Sequence, residues 1–306
     1  MTGLRRIAIL LVAPLLIAAG PSLKGVYTGL GVYPKTVERW QRAIKDSDFP
    51  STSWIFVSPT NGGRDRLHKN ARRDTILVVP DHAHPAQLTL VVWFHGLRGF
   101  SERTFRNRLI PMLKLISTAD RPVAMVIPEM PWSTNTKTPR GRQGKVWREK
   151  NSLAVFMADV VEHLDVWGLM RHGSVPWDLK IVFAGYSAGG SALSSAAQEG
   201  SLCQLKPQHI VWLDATYDHW LDKAWKGCLK NSSTRIHVLV RKWDTPHRRA
   251  KTFMKALPGS IQPDISYYVF DRKNWTHSDI GSRGLIESDV FRGIAKEEFN
   301  IEVKKR

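Results

Sequence analysis

Leu179-Lys180-Ile181-Val182-Phe183-Ala184-Gly185-Tyr186-Ser187-Ala188-Gly189-Gly190-Ser191-Ala192-Leu193-Ser194-Ser195-Ala196-Ala197 changes character twice along its length. The opening run to Ala184 is apolar and β-branched, as a buried strand is. The closing run from Gly190 is small and alanine-rich, as a close-packed helix is. Between them lies Gly185-Tyr186-Ser187-Ala188-Gly189. A serine at so tight a strand-to-helix turn has its hydroxyl pushed clear of the backbone, and the flanking glycines supply the missing side-chain volume. Three fixed positions are common by chance, so the surroundings must carry the reading.

Outward from this turn, strand and helix signals alternate. Strands are predicted at 54–58, 75–79, 88–94, 123–128, 179–184, 210–213, 235–240 and 265–270. Helical spacing of apolar residues falls at 101–116, 153–167, 187–198, 217–224, 245–257 and 283–295. The first strands are neighbours and the later ones alternate with helices. That order predicts a mostly parallel sheet covered by helices on both faces, with an antiparallel start. Two connections are long. Residues 131–151 carry Trp132, Trp147 and several Lys and Arg residues and form a lid-like insertion, while Lys273 to Ser282 carries His277.

In a parallel sheet the carboxyl ends of the strands share one rim, where ligands collect. Ser187 follows one strand there. His95-Gly96 follows Val91-Val92-Trp93-Phe94, so the N–H of Leu97 can point at the same space as that of Ala188. His277, in Asn274-Trp275-Thr276-His277, lies beyond the last strand. Acyl transfer needs a nucleophile, a base, a carboxylate to orient the base, and donors for the oxyanion, and each has a candidate at this rim.

With these motifs in place, the region from about Ser51 to Ala295 resembles an α/β-hydrolase. The serine turn is similar to that superfamily's nucleophile elbow and His95-Gly96 to its oxyanion loop, and the chain order of serine, acid and histidine agrees. The resemblance implies Ser187 as nucleophile, His277 as general base, and the N–H groups of Leu97 and Ala188 as oxyanion hole. It specifies reaction class well and substrate poorly. Two residues compete as the acid. Asp244, following the strand at 235–240, stands at the commoner place and is favoured. Asp214, following the strand at 210–213, is the alternative.

The implied activity is a serine hydrolase working through an acyl-enzyme, with no metal or organic cofactor. Ester hydrolysis is favoured because it asks less of leaving-group assistance, and amide hydrolysis is second. A protein of another class on the same scaffold, gripping an anionic envelope polymer without catalysis, uses the same residues differently. A zinc amidohydrolase using His82 and His84 is a third reading. Against it, Pro80 and Pro85 bracket those histidines between two strands, which describes a hairpin turn. His95 reads as a structural loop histidine rather than a metal ligand. No Lys follows Gly189 and Gly190, so the phosphate-loop pattern is absent.

The chain has 306 residues and 12 tryptophans, against an ordinary abundance of roughly one per hundred residues. Trp132, Trp243 and Trp275 lie near the predicted rim, where aromatic faces can hold sugar rings, acyl chains or cations, and Tyr186 adjoins the serine. Trp93, Trp167 and Trp212 read as core. Net charge is +18. The excess gathers at residues 64–73, 140–150 and 241–251, which favours contact with an anionic membrane, cell-wall polymer or acidic substrate. No nucleic-acid recognition module is present.

At the amino end, Leu4-Arg5-Arg6 precedes an uncharged run from Ile7 to Ala19, short for a bilayer span and of the size of a signal-peptide core. The expectation is a signal peptide over 1–22, a linker and docking helix over 23–50, and a hydrolase domain over 51–300. The protein would then be secreted or periplasmic, an uncleaved membrane anchor being the alternative. In an oxidising compartment Cys203 and Cys228 can pair. Otherwise they are two unrelated core thiols.

Overall fold

A computed structural model describes residues 27–28, 51–57, 74–80, 88–97, 123–128, 146–166, 179–258 and 265–287. Among these, nine strands form one sheet: β1 (Tyr27–Thr28), β2 (Ser51–Val57), β3 (Asp74–Pro80), β4 (Thr89–Phe94), β5 (Val123–Pro128), β6 (Lys180–Tyr186), β7 (His209–Leu213), β8 (Arg235–Arg241) and β9 (Ile265–Phe270). Their order is β1-β2-β3-β5-β4-β6-β7-β8-β9. Only β3 runs against its neighbours β2 and β5, and every other pairing is parallel. The helices are α1 (Ser152–Val166), α2 (Gly190–Glu199), α3 (Ser201–Gln204), α4 (Trp220–Gly227), α5 (Thr245–Ala256), α6 (His277–Ser282) and α7 (Gly284–Glu287).

Strands β4, β5 and β7 are buried at every position. That is why their sequences (Thr-Leu-Val-Val-Trp-Phe, Val-Ala-Met-Val-Ile-Pro, His-Ile-Val-Trp-Leu) run apolar without alternation: parallel strands are covered on both faces. Edge strand β9 is only partly buried and carries Ser266 and two tyrosines. Successive residues still serve different layers. Leu90, Val92 and Phe94 pack into one core with Phe156 and Val160 of α1, Leu193 and Ala196 of α2, and Phe253 of α5. On the opposite face, α6 and α7 lie against Tyr186 and Leu239. Trp147, from the carboxyl end of the predicted insertion, is wholly buried and meets Phe94 and Phe156 edge-on. Arg148 Nε beside it donates to Ser195 Oγ of α2 at 3.2 Å. Cys203 and Cys228 form a disulfide with Cα atoms 6.1 Å apart, tying α3 to the end of α4.

The sheet departs from the sequence reading in three places. The strands flanking His82 and His84 are not hydrogen-bonded neighbours, because β5 lies between β3 and β4. The hairpin expected there is therefore replaced by a crossover. A strand order of this kind follows from which apolar faces need covering, and local turn signals do not encode it. The stretch Lys273 to Ser282, expected as a loop, ends in α6. The helix at 187–198 opens as a single tight 3₁₀ turn over Ser187–Gly189 before α2 begins. The expected leader, the helix at 101–116, Trp132, Trp167, and His82 with His84 lie outside the described residues.

Candidate active site

The register of the sheet sets the site. Phe94 of β4 stands beside Gly185 of β6, and Tyr186 of β6 beside Leu213 of β7. His95, Ser187 and Asp214 therefore leave three adjacent parallel strands at one rim. The ends of β8 and β9 deliver Lys242 and Asp271 to the same side.

Ser187 turns with φ 52° and is half-buried. An L-residue pays for a left-handed backbone, on the order of 1 kcal/mol or more, so the surrounding turn must over-determine it. The glycines do so by close approach. A Cβ on Gly185 would stand 2.8 Å from Leu193 Cδ1 and 3.0 Å from the Gly189 carbonyl oxygen. One on Gly189 would press on the carbonyl group of Phe94, and one on Gly190 on that of Ala215. The loop after β4 is equally close: a Cβ on Gly96 would lie 3.2 Å from Ser187 Cβ. His95 closes this loop from inside. It is buried, its Nδ1–H donates to the Gly96 carbonyl at 2.7 Å, and burial lowers its pKa to about 4. A neutral ring with a fixed tautomer is a strut, as the sequence suggested. Leu97, next to Gly96, is 39% exposed, and Ala188 is buried in the turn.

Asp214 ends β7, also left-handed at φ 48°, and its side chain is 0% exposed. Its backbone N–H donates to the Leu239 carbonyl at 2.7 Å. Its carboxylate accepts from two directions: the Arg241 backbone N–H reaches Oδ1 at 3.2 Å, and His277 Nδ1 reaches Oδ2 at 2.6 Å. A carboxylate only accepts, so His277 carries its hydrogen on Nδ1 and leaves Nε2 as the basic nitrogen. The imidazole remains 33% exposed.

His277 is the first residue of α6, and the sequence fixes where that helix starts. Thr276 accepts at Oγ from the Asp279 N–H at 3.2 Å, while Asp279 Oδ2 accepts from the Thr276 N–H at 2.7 Å. This reciprocal cap is legible in the sequence as Thr-x-x-Asp and is the signal that a helix, not a loop, begins at His277. The imidazole then lies 4.9 Å from the Tyr186 ring, centroid to centroid.

Two sequence expectations require correction. Asp244, the favoured acid, is not at the imidazole. Its Oδ2 accepts from Arg241 Nε at 2.5 Å and is ion-paired with Nη2 at 2.5 Å. Both aspartates end strands on one rim, and side-chain direction separates them. Tyr186, expected to face substrate, is 4% exposed and packed between Trp93, at 6.0 Å between ring centroids, and His277. Of the expected aromatic contacts, Trp243 is 68% exposed with Lys242 Nζ 5.4 Å from its ring centre. Trp275 is half-buried, packed on Phe270, with Arg283 Cζ 5.2 Å from its ring centre. Ser187, approached by Gly96 in its turn, and His277, held through Nδ1 by the buried Asp214 carboxylate, both lie at the carboxyl-end rim of the sheet.

No protein-family model matches the sequence, and no curated protein does. Solved structures with a similar course of chain include an α/β serine hydrolase without lid from Xanthomonas campestris, with 14% identity and TM-score 0.47, covering 80% of this chain and 93% of that one. Another is a poly(3-hydroxybutyrate) depolymerase from Bordetella parapertussis, with 13% identity and TM-score 0.48, covering 82% and 92%. A third is carboxyl esterase 2 from Tuber melanosporum, with 12% identity and TM-score 0.46, covering 89% and 90%. At such low identity the likeness names no substrate for this chain. Its own sheet, mostly parallel with one reversed strand, and its strand–turn–helix around Ser187 are those of the α/β-hydrolase fold, and that is the fold of this protein.

Proposed function

We propose that this protein is a serine hydrolase that cleaves a carboxylic ester through an acyl-enzyme on Ser187, with His277 as base and Asp214 as acid. The observation that carries the reading is the 2.6 Å hydrogen bond from His277 Nδ1 to the buried Asp214 carboxylate. It leaves Nε2 to take the Ser187 proton as Oγ attacks the carbonyl carbon. The N–H groups of Ala188 and Leu97 hold the oxyanion. As the tetrahedral intermediate collapses, the imidazolium returns its proton to the departing alcohol. Water, deprotonated by the same nitrogen, then attacks the acyl carbon and releases the acid. Amide cleavage asks more of the proton return and is the second choice.

Exposed Trp243, with Lys242 beside it and Arg248 and Lys251 exposed on the helix that follows, supports a substrate that offers both an apolar or ring face and an anionic group. An ester borne on an anionic envelope polymer fits that chemistry. The Cys203–Cys228 disulfide and the apolar amino terminus support export to an oxidising compartment.

The test is covalent labelling by a fluorophosphonate, with turnover of short and long nitrophenyl esters measured alongside. Labelling and turnover lost in Ser187→Ala are expected. An unreactive wild-type serine combined with salt-sensitive polymer binding would favour the non-catalytic reading, and chelator-sensitive activity the zinc one.

A further inference from the structure

Building on that reading of Asp214, we propose that Asp244 is a positioning residue: it holds the guanidinium of Arg241 and so keeps that cation off the carboxylate that orients His277.

Arg241 is the last residue of β8, and its backbone N–H already touches Asp214 Oδ1. Its side chain starts beside the same carboxylate. The guanidinium's pKa is raised first by the hydrogen bond to Asp244, and Asp214 and Tyr217 add to the effect by charge. Two carboxylates thus compete for one cation. Asp244 takes it with a hydrogen bond from Nε and an ion-pair contact from Nη2 to the same oxygen, in a pair that is four-fifths buried. Asp214 is left with one backbone N–H and the imidazole.

Asp244 forgoes something to do this. It stands at the N-cap of α5, where an aspartate ordinarily turns inward to accept from the first free N–H groups, an interaction worth about 1 kcal/mol. Here it makes no side-chain cap bond. The helix start is tied to the neighbouring strand end by another route: Thr216 Oγ donates to the Pro246 carbonyl at 2.6 Å. The two acid-bearing loops are therefore fixed to each other while the Asp244 carboxylate is aimed at Arg241.

Without Asp244, the guanidinium has one carboxylate left within reach. A charge-assisted Arg–carboxylate pair is stronger than the bond from a neutral imidazole. Asp214 would turn toward Arg241, and His277 would lose its acceptor while gaining a cation nearby. Both changes lower the basicity of Nε2.

The experiment is a double-mutant cycle on ester turnover with full pH profiles. In Asp244→Asn, kcat should fall about tenfold or more with KM little changed, and the acid limb of kcat/KM should move to lower pH. In Arg241→Met/Asp244→Asn, most of the lost kcat should return and the limb should move back. Recovery in the double variant also supports the proposal if Asp244→Asn alone folds poorly. A wild-type rate and pH profile in Asp244→Asn, an equal loss in single and double variants, or misfolding of both overturns it. The underlying reading fails separately, if Ser187→Ala still turns over substrate.

Discussion

Gly281 of α6 lies flat on the ring of Tyr186, so close that a Cβ at 281 would stand 2.6 Å from two ring carbons. Tyr186 precedes the serine and Gly281 follows the histidine by four residues, one helical turn. The contact sets where α6, with His277 at its start, stands against the end of β6.

Gly281→Ala is therefore expected to push α6 off the ring and carry His277 with it. Misplacement of this size by about 1 Å costs roughly a hundredfold in rate. We expect a large loss of kcat with substrate affinity and circular dichroism retained. Wild-type turnover in this variant would show that the helix can shift without moving the base.

Asp214→Asn should be more damaging still. The amide can donate where the carboxylate accepts, so it favours the imidazole with its lone pair on Nδ1 and the hydrogen on Nε2, facing the serine. A loss of roughly ten-thousandfold in kcat is expected, as for a reversed tautomer in other triads. Fluorophosphonate labelling rates give the same comparison without substrate.

Trp243 stands at φ 70° on the tip of the loop after β8, its ring open to solvent. Replacing it with Ala removes the aromatic face proposed above for substrate. KM should rise several-fold while kcat is held, because such contacts are alike in ground and transition states. A kcat effect with unchanged KM would place Trp243 nearer the chemistry than its exposure suggests.

Three buried histidines should weaken the fold in acid. Burial is the main cause lowering His95 to about 4, His209 to about 4 and His237 to about 3, from an ordinary 6.5. For His209, Arg235 and Lys180 add to the effect, and for His237, His209 and Arg235 do. His209 Nδ1 and His237 Nε2 share one hydrogen at 2.9 Å, which a second proton would disrupt. Because the folded values are depressed, the unfolded chain binds protons first as pH falls. The stability these rings contribute is complete above about 6.5 and drains away as pH falls toward 4 and below. Urea midpoints should drop across that window, and a flat profile would contradict the burial.

The disulfide closes a loop of 25 residues between α3 and α4. Such a loop is worth about 3.5 kcal/mol by chain entropy. A Cys203→Ser/Cys228→Ser variant should melt several degrees lower while keeping kcat, since neither helix carries a residue of the site. A thiol titration that finds two free cysteines in the native protein would remove the premise.

Much of this was written along the chain. The predicted strands match those described to within a few residues at each end, because apolar runs buried on two faces look alike wherever they occur. The turn at Ser187 was equally legible, since only glycines tolerate the approach of Leu193 and the Phe94 and Ala215 carbonyls. Other features depended on distant partners. That β5 separates β3 from β4, that Tyr186 turns inward, and that Asp214 rather than Asp244 meets His277 are matters of direction and competition in space. Position along the chain favours Asp244 over Asp214 without saying which carboxylate faces the imidazole. Arg241 decides it by binding one of them, while its backbone amide helps hold the other in place for the imidazole.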